Sequence, residues 1–191
     1  MEIRSFVHES VVQNDRKYFV VPTVESPSFG KMYLANPEEY VRQDVIKTLH
    51  EDYGYPYSLM MPECPLDDGR RIDLAVFMPS TEREPEPSED PFPFSGDMIP
   101  YILIECKKST EALNQTHVDQ GIGYARTVRP DYFVVTNGNT TRCYAVKRIS
   151  DEKITYHEIS DIPGFTQALK EPWIPDDFDS EVWSKWIHEQ E

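Results

Sequence analysis

Two apolar runs, RRIDLAVFMP (70–79) and YILIECKKST (101–110), constrain this chain more than any other feature of it. Each is built of strand-forming residues, and each carries an acid where a core strand should have none: Asp73 in the first and Glu105 in the second. Side chains i and i+2 of a strand share a face. Glu105 and Lys107 therefore lie together at the end of a strand that Ile102 and Ile104 mark as buried. In the earlier run Ile72, Leu74 and Val76 alternate with Asp73, Ala75 and Phe77, so both faces are largely apolar and Asp73 is the exception. A buried carboxylate without a partner is costly. Consecutive strands usually pair, which brings Asp73 beside Glu105. Two converging carboxylates repel unless a cation sits between them, and a partly open, oxygen-rich place suits Mg²⁺ or Mn²⁺. A lysine on the same face can position water or stabilise charge on a phosphate. The other reading of Glu105 and Lys107 is a strand-end ion pair, which leaves Asp73 unexplained.

Around these runs the chain reads as a mixed α/β domain. ESVVQNDRKYFVV predicts a hairpin about Asn14-Asp15. NPEEYVRQDVIKTLHEDYGYP predicts a helix with Asn36 as cap, Pro37 at its first position, and Glu38 and Glu39 at the positive end of its dipole. Val41, Val45 and Leu49 form its apolar stripe, and Gly54 with Pro56 stops it. YSLMMPEC (57–64) is a strand joined to the Asp73 strand by LDDGR. Prolines 79, 85, 87, 91, 93 and 100, among many acids, mark 79–100 as an irregular insertion. STEALNQTHVDQGIGYARTV predicts a second helix capped by Ser109 and weakened by two glycines. DYFVVTNG, TRCYAVKR and KITYHEIS follow as strands, the last at an edge, with short helices at PGFTQALK and SEVWSKWIH. The order of elements predicts a mixed sheet with helices packed on it.

At 191 residues the expectation is one domain spanning 1–191, with its core at 36–147 and an acidic C-terminal extension at 160–191. No apolar run approaches the roughly 20 residues that span a membrane, and MEIRSFVHES does not read as a secretory signal. Cys64, Cys106 and Cys143 have no metal-type spacing and fit a reducing cytoplasm. The five histidines likewise show no ligand spacing. A net charge of −15 opposes nucleic-acid binding at long range. Much of the acid, however, lies in 81–97 and 171–191, and the middle of the chain holds Arg70, Arg71, Lys107, Lys108, Arg126, Arg129, Arg142, Lys147 and Arg148. A local basic surface stays open.

Asp73 followed by Glu105-x-Lys107 resembles the PD-(D/E)XK nuclease pattern. The wider resemblance is to the N-terminal nuclease domain of type I restriction enzyme R (HsdR) subunits and its stand-alone relatives. PEEYVRQDVIKTL, YGYP, RRIDLAVF, ILIECKK, DQGIGYA and VVTNG occur in the family's order, over residues 36–147. The resemblance implies a restriction-endonuclease-like α/β core, a mixed central sheet flanked by helices. It implies Asp73 and Glu105 as ligands of Mg²⁺ (or Mn²⁺), with the backbone carbonyl of Cys106 as a third. Lys107 would orient the attacking water and stabilise the pentavalent phosphate. Gln120 and Tyr124 match the Q-x3-Y element, in which a second helix lends polar groups to the site, and spacing of four puts both on one helical face. Glu38 or Glu39 would be the acid that the first helix lends to the metal, and helical phase with Val41, Val45 and Leu49 favours Glu38.

The sequence departs from the family in three places. Ile72 stands where the pattern has proline, and the insertion before Glu105 is long. No G-x-x-x-x-G-K-[ST] motor motif is present, so ATP-driven translocation is not expected of this chain alone. The expectation is a cytoplasmic, metal-dependent nuclease acting on DNA, in restriction, defence or DNA processing, with other restriction subunits as partners. The alternative is a nucleic-acid-binding or assembly module that keeps the fold and cleaves little by itself.

Overall fold

Asn14 and Asp15 both adopt left-handed backbone, at φ 50° and 59°. Two-residue hairpin loops of this hand match the twist of the strands they join. They connect β1 (Ser10–Gln13) to β2 (Arg16–Thr23), as the sequence predicts. A third strand, β3 (Ser26–Leu34), pairs antiparallel with β2 and completes a three-stranded sheet. Pro27 and Gly30 hide this strand from a sequence reading. The computed structural model describes residues 1–23, 26–66, 69–78, 99–128, 130–149 and 153–168. The insertion expected at 79–100 lies outside the described residues up to 98, and the predicted helix at SEVWSKWIH lies wholly outside them.

Helix α1 (Pro37–Glu51) begins as predicted: the Asn36 side chain accepts from the backbone N–H groups of Glu38 and Glu39. The chain turns away after it at Gly54, whose φ of 76° is one that side-chain-bearing residues rarely adopt. A 3₁₀ turn (Tyr57–Leu59) takes the first part of the run read as strand 57–64. The main sheet then runs in the order β4 (Met60–Pro65), β5 (Arg71–Met78), β6 (Ile99–Cys106), β7 (Tyr132–Thr136), β8 (Thr141–Arg148) and β9 (Ile154–Ile159). Among the described strands only β6 and β7 pair in parallel. Helix α2 (Gln115–Val128) supplies the crossover between them, as a parallel connection requires. Helix α3 (Phe165–Ala168) closes the described chain.

Alternation along the strands sends side chains to two cores. Leu74, Val76, Ile102, Ile104 and Val134 pack toward α1 with Val41, Val45, Ile46 and Leu49. Ala75, Phe77, Leu103, Phe133 and Val135 pack toward α2 with Val118 and Ile122. Ile102, Leu103 and Ile104 are fully buried, worth roughly 1.5–3 kcal/mol each in apolar burial. The result is the restriction-endonuclease-like α/β architecture, a mixed sheet with a helix on each face.

The start of α2 differs from expectation. Ser109 does not cap it; residues 109–114 turn first, and the Asn114 side chain accepts from the backbone N–H of His117 at 3.3 Å. The Ser109 carbonyl instead accepts from Asn139 Nδ2 at 3.1 Å. A side-chain acceptor three residues ahead of its N–H is an ordinary cap, and Asn114 sits at that offset while Ser109 does not.

Candidate active site

The antiparallel register of β5 on β6 pairs Leu74 with Ile104. Continued by one pair, it sets Asp73 opposite Glu105 on the same face, where the spacing of the two apolar runs put them. Asp73 turns one oxygen back onto the neighbouring strand: Oδ2 accepts from the backbone N–H of Cys106 at 2.7 Å. Strand β6 ends at Cys106, yet the Lys107 N–H donates to the Thr136 carbonyl at 2.8 Å, so the parallel ladder runs one residue further. That bond keeps the Lys107 side chain on the Glu105 side, where Nζ donates to Glu105 Oε1 at 2.7 Å. From α2, Gln120 Nε2 donates to the same oxygen at 2.7 Å and to the Tyr124 hydroxyl at 2.8 Å. The Tyr124 ring in turn lies under the Arg70 guanidinium, 4.8 Å from its centroid. Asp73, Glu105, Lys107, Gln120 and Tyr124, all predicted from the sequence, thus form one connected group.

Each central carboxylate has one oxygen fixed by donors and one that is not. Glu105 Oε2 and Asp73 Oδ1 make no hydrogen bond among the described residues; Arg42 Nη1 lies 3.9 Å from Asp73 Oδ1. Burial raises the pKa of Asp73, against the opposing effects of the Cys106 N–H and Arg42. Burial also raises that of Glu105, and the neighbouring charge of Asp73 raises it further, while Lys107 works the other way. Burial opposes the charge on Lys107, but its bond to Glu105 and the charges of Glu105, Asp73 and Glu38 together outweigh this and lift its pKa. The pair of carboxylates is therefore under-neutralised by the protein alone.

The first helix meets this group through an arginine that the sequence reading passed over. Arg42 is buried, with 7% of its side chain exposed. Nη2 bonds Glu39 Oε2, and Nη1 bonds Glu63 Oε1 on β4 and approaches the Asp73 carbonyl oxygen at 3.3 Å. Gln43 Nε2 takes the other Glu39 oxygen at 2.6 Å. Glu38 and Glu39 consequently differ. Glu39 is 2% exposed with both oxygens bound. Glu38 is exposed, its carboxylate bonds nothing among the described residues, and its charge raises the pKa of both Asp73 and Glu105. Asn36, Glu38, Glu63, Asp73 and the Cys106 backbone line a small open cleft with Glu39 and Arg42 at its side. The Cys106 side chain itself is in the α1-side core.

Arg42 was legible in principle. It stands three residues after Glu39 and in phase with Ile46 and Leu49, so a stripe centred on 42, 45, 46 and 49 contains it. Glu63 carried no such signal: it sits at the edge of the sheet with a φ of 54°, a conformation that its type does not announce. His117 pairs with Glu111 at 3.0 Å.

Four carboxylates (Glu38, Glu39, Glu63, Asp73) line the cleft with one cation, Arg42, and the Glu105–Lys107 pair lies beside Asp73 on the neighbouring strand. Among the described residues no three His, Cys, Asp or Glu side chains are close enough to enclose a metal on their own. The donor set matches hard divalent cations that keep several waters and substrate oxygens in their shell.

Residues 37–163 match the family model of the type I restriction enzyme R protein N terminus (HSDR_N). That span holds every site residue named above except Asn36, which immediately precedes it. Neither curated proteins nor solved structures gave a match.

Proposed function

The chain belongs to the type I restriction enzyme R protein N-terminal family, and from that premise we propose that it is a divalent-cation-dependent nuclease hydrolysing phosphodiester bonds of DNA, in restriction or a related defence. The observation that supports this most is the pair of oxygens without donors among the described residues, Glu105 Oε2 and Asp73 Oδ1, on two neighbouring carboxylates, the first buried and the second partly buried. Asp73, Glu105 and the Cys106 carbonyl would hold Mg²⁺ or Mn²⁺, with Glu38 at the mouth. The cation, when bound, would neutralise developing charge on the phosphate and acidify water.

The protein's own groups have separate tasks. The Cys106 N–H locks the Asp73 carboxylate in one orientation, so that its second oxygen faces outward. Gln120 and Lys107 do the same for Glu105, both donating to Oε1. Lys107 is 14% exposed at its side chain, which lets its ammonium reach a phosphate oxygen while still bonded to Glu105. A preorganised cation of this kind acts on charge that develops in the transition state.

A second reading rests on the same cleft: its four carboxylates and a net charge of −15 disfavour an approaching backbone phosphate. On that reading the chain binds or assembles and does not cleave. Incubating the purified protein with single- and double-stranded DNA and RNA, with and without Mg²⁺ or Mn²⁺, separates the two. Metal-dependent cleavage by the wild type and none by Asp73→Asn supports the nuclease. Binding without cleavage supports the module, and equal cleavage by Asp73→Asn removes the site assignment.

A further inference from the structure

Arg42 occupies a place that a nuclease site of this kind does not obviously need. It puts a buried positive charge 3.9 Å from Asp73 Oδ1, an oxygen that on the reading above faces a divalent cation. A cation held on that oxygen would lie close to the guanidinium, and like charges repel strongly in a partly dry site. The same guanidinium bonds Glu39, the buried acid of the first helix, while Gln43 takes its second oxygen. Glu39 lies in the wall of the cleft that Asp73 and Cys106 also line. Were it released, the cleft would gain a further hard oxygen donor and lose a competing positive charge together.

We propose that Arg42 withholds Glu39 from the cation, so that the metal is offered Asp73 and Glu105, with the exposed Glu38 at the mouth of the cleft, and is bound weakly until substrate oxygens complete its shell. This rests on the metal-site reading of Asp73 and Glu105. Arg42 is here a positioning residue: it touches neither metal nor phosphate, and it acts through Glu39 and Asp73. Burial opposes its charge, and its bonds to Glu39 and Glu63 more than reverse that, so it stays cationic. Its Nε has no hydrogen-bond partner among the described residues, whereas a purely structural clamp has every reason to satisfy all its donors. The geometry favours Nη1 and Nη2, the two atoms that face Glu63, Asp73 and Glu39.

The sign of the expected effect is unusual. Removing a residue beside a binding site ordinarily weakens binding. Here Arg42→Gln should tighten Mn²⁺ binding in the absence of nucleic acid, by tenfold or more, because a repelling charge goes and a carboxylate is freed. Arg42→Gln/Glu39→Gln should lose most of that gain. A merely structural Arg42 would lower the melting temperature of Arg42→Gln and leave Mn²⁺ affinity unchanged or reduced.

The test is Mn²⁺ titration, by calorimetry or by the electron-spin signal of free Mn²⁺, on folded wild-type and variant protein at mildly alkaline pH. Asp73→Asn is the control on the underlying reading: wild-type binding that Asp73→Asn retains undiminished overturns the metal site and this inference with it. Binding abolished by Asp73→Asn but unchanged or weakened in Arg42→Gln overturns the role of Arg42 alone. Should Arg42→Gln not fold, Glu39→Gln keeps the question open to measurement, since glutamine is isosteric and can still accept from Arg42. With Glu39 withheld, that variant should shift Mn²⁺ affinity less than threefold, and Glu38→Gln about tenfold. A tenfold loss in Glu39→Gln would mean that Glu39 already serves the cation.

Discussion

A Cβ added to Gly121 on α2 would lie 1.6 Å from the ring of Phe133 on β7. The helix rests on the sheet through bare backbone at this point, and Phe133 is fully buried and has nowhere to go. Gly121→Ala gains up to about 1 kcal/mol of helix propensity but overfills a packed core at a cost of about 1–3 kcal/mol or more. Net destabilisation is expected. Gly123, two residues on, is the internal control: its nearest neighbour would be Arg70 Nη1 at 3.6 Å, an ordinary contact. Gly123→Ala should therefore stabilise by about 0.5–1 kcal/mol. Urea unfolding of both variants checks this, and a stable Gly121→Ala would show that α2 can lift off β7.

These two glycines show where the sequence is readable. Propensity alone marks both as weaknesses, and only the tertiary contact says that one is required. The carboxylate pair was legible because strand alternation makes a lone acid in an apolar run conspicuous. Gln120 and Tyr124 were legible through spacing on a helix face. The partition of Glu38 and Glu39 was not, because it turns on how wide the buried face of α1 is. Val41, Val45 and Leu49 suggest a narrow stripe that favours Glu38; the buried face also includes Arg42, Gln43 and Ile46, and it takes Glu39 inside. Strand β3 and the cap at Asn114 were lost for a related reason: backbone pairing and turn geometry outrank local residue preference.

The raised pKa values of Asp73 and Glu105 fix the sign of a pH effect. Both are raised first by burial, above unfolded values near about 4. Between those and the raised folded values, the folded chain holds more protons than the unfolded one, so stability falls as pH rises through that window and levels off above it. A cation that replaces the protons should counter the fall. Mn²⁺ should thus raise the melting temperature little at about pH 5 and clearly at about pH 8, because it binds only the deprotonated pair. The pH-dependent rise should vanish in Asp73→Asn; a rise of equal size there would place the cation elsewhere.

Gln120 shares its amide between Glu105 and Tyr124, so the two helix residues should not be equivalent. Tyr124→Phe removes only the acceptor that Gln120 uses at 2.8 Å, keeps the ring under Arg70, and should lower cleavage less than tenfold. Gln120→Ala removes one of two donors that orient the Glu105 carboxylate, and outer-shell losses of this kind cost about 10–100-fold in affinity or rate. Kinetics at saturating Mg²⁺ rank them. The opposite ranking would assign the Tyr124 hydroxyl a direct role with substrate.

Lys107 separates a working site from an ion pair most directly. As an ion pair with Glu105, at 2.7 Å, it would matter for stability, and arginine would partly replace it. As the residue that serves water and phosphate, it must present one compact ammonium between Glu105 and the substrate, which a planar, forked guanidinium does poorly. Lys107→Ala and Lys107→Arg should both lower cleavage by about two orders of magnitude or more, the loss typical of one preorganised electrostatic donor. Mn²⁺ binding should survive in both, since Asp73 and the Cys106 N–H do not depend on the lysine. Lys108 is exposed, and its carbonyl accepts from the Glu111 N–H in the turn before α2. Lys108→Ala should keep most activity. If Lys108→Ala is the damaging change and Lys107→Ala the harmless one, the lysine that acts is on the turn and not on the Glu105 face, and the site assembled around Glu105 is not where cleavage occurs.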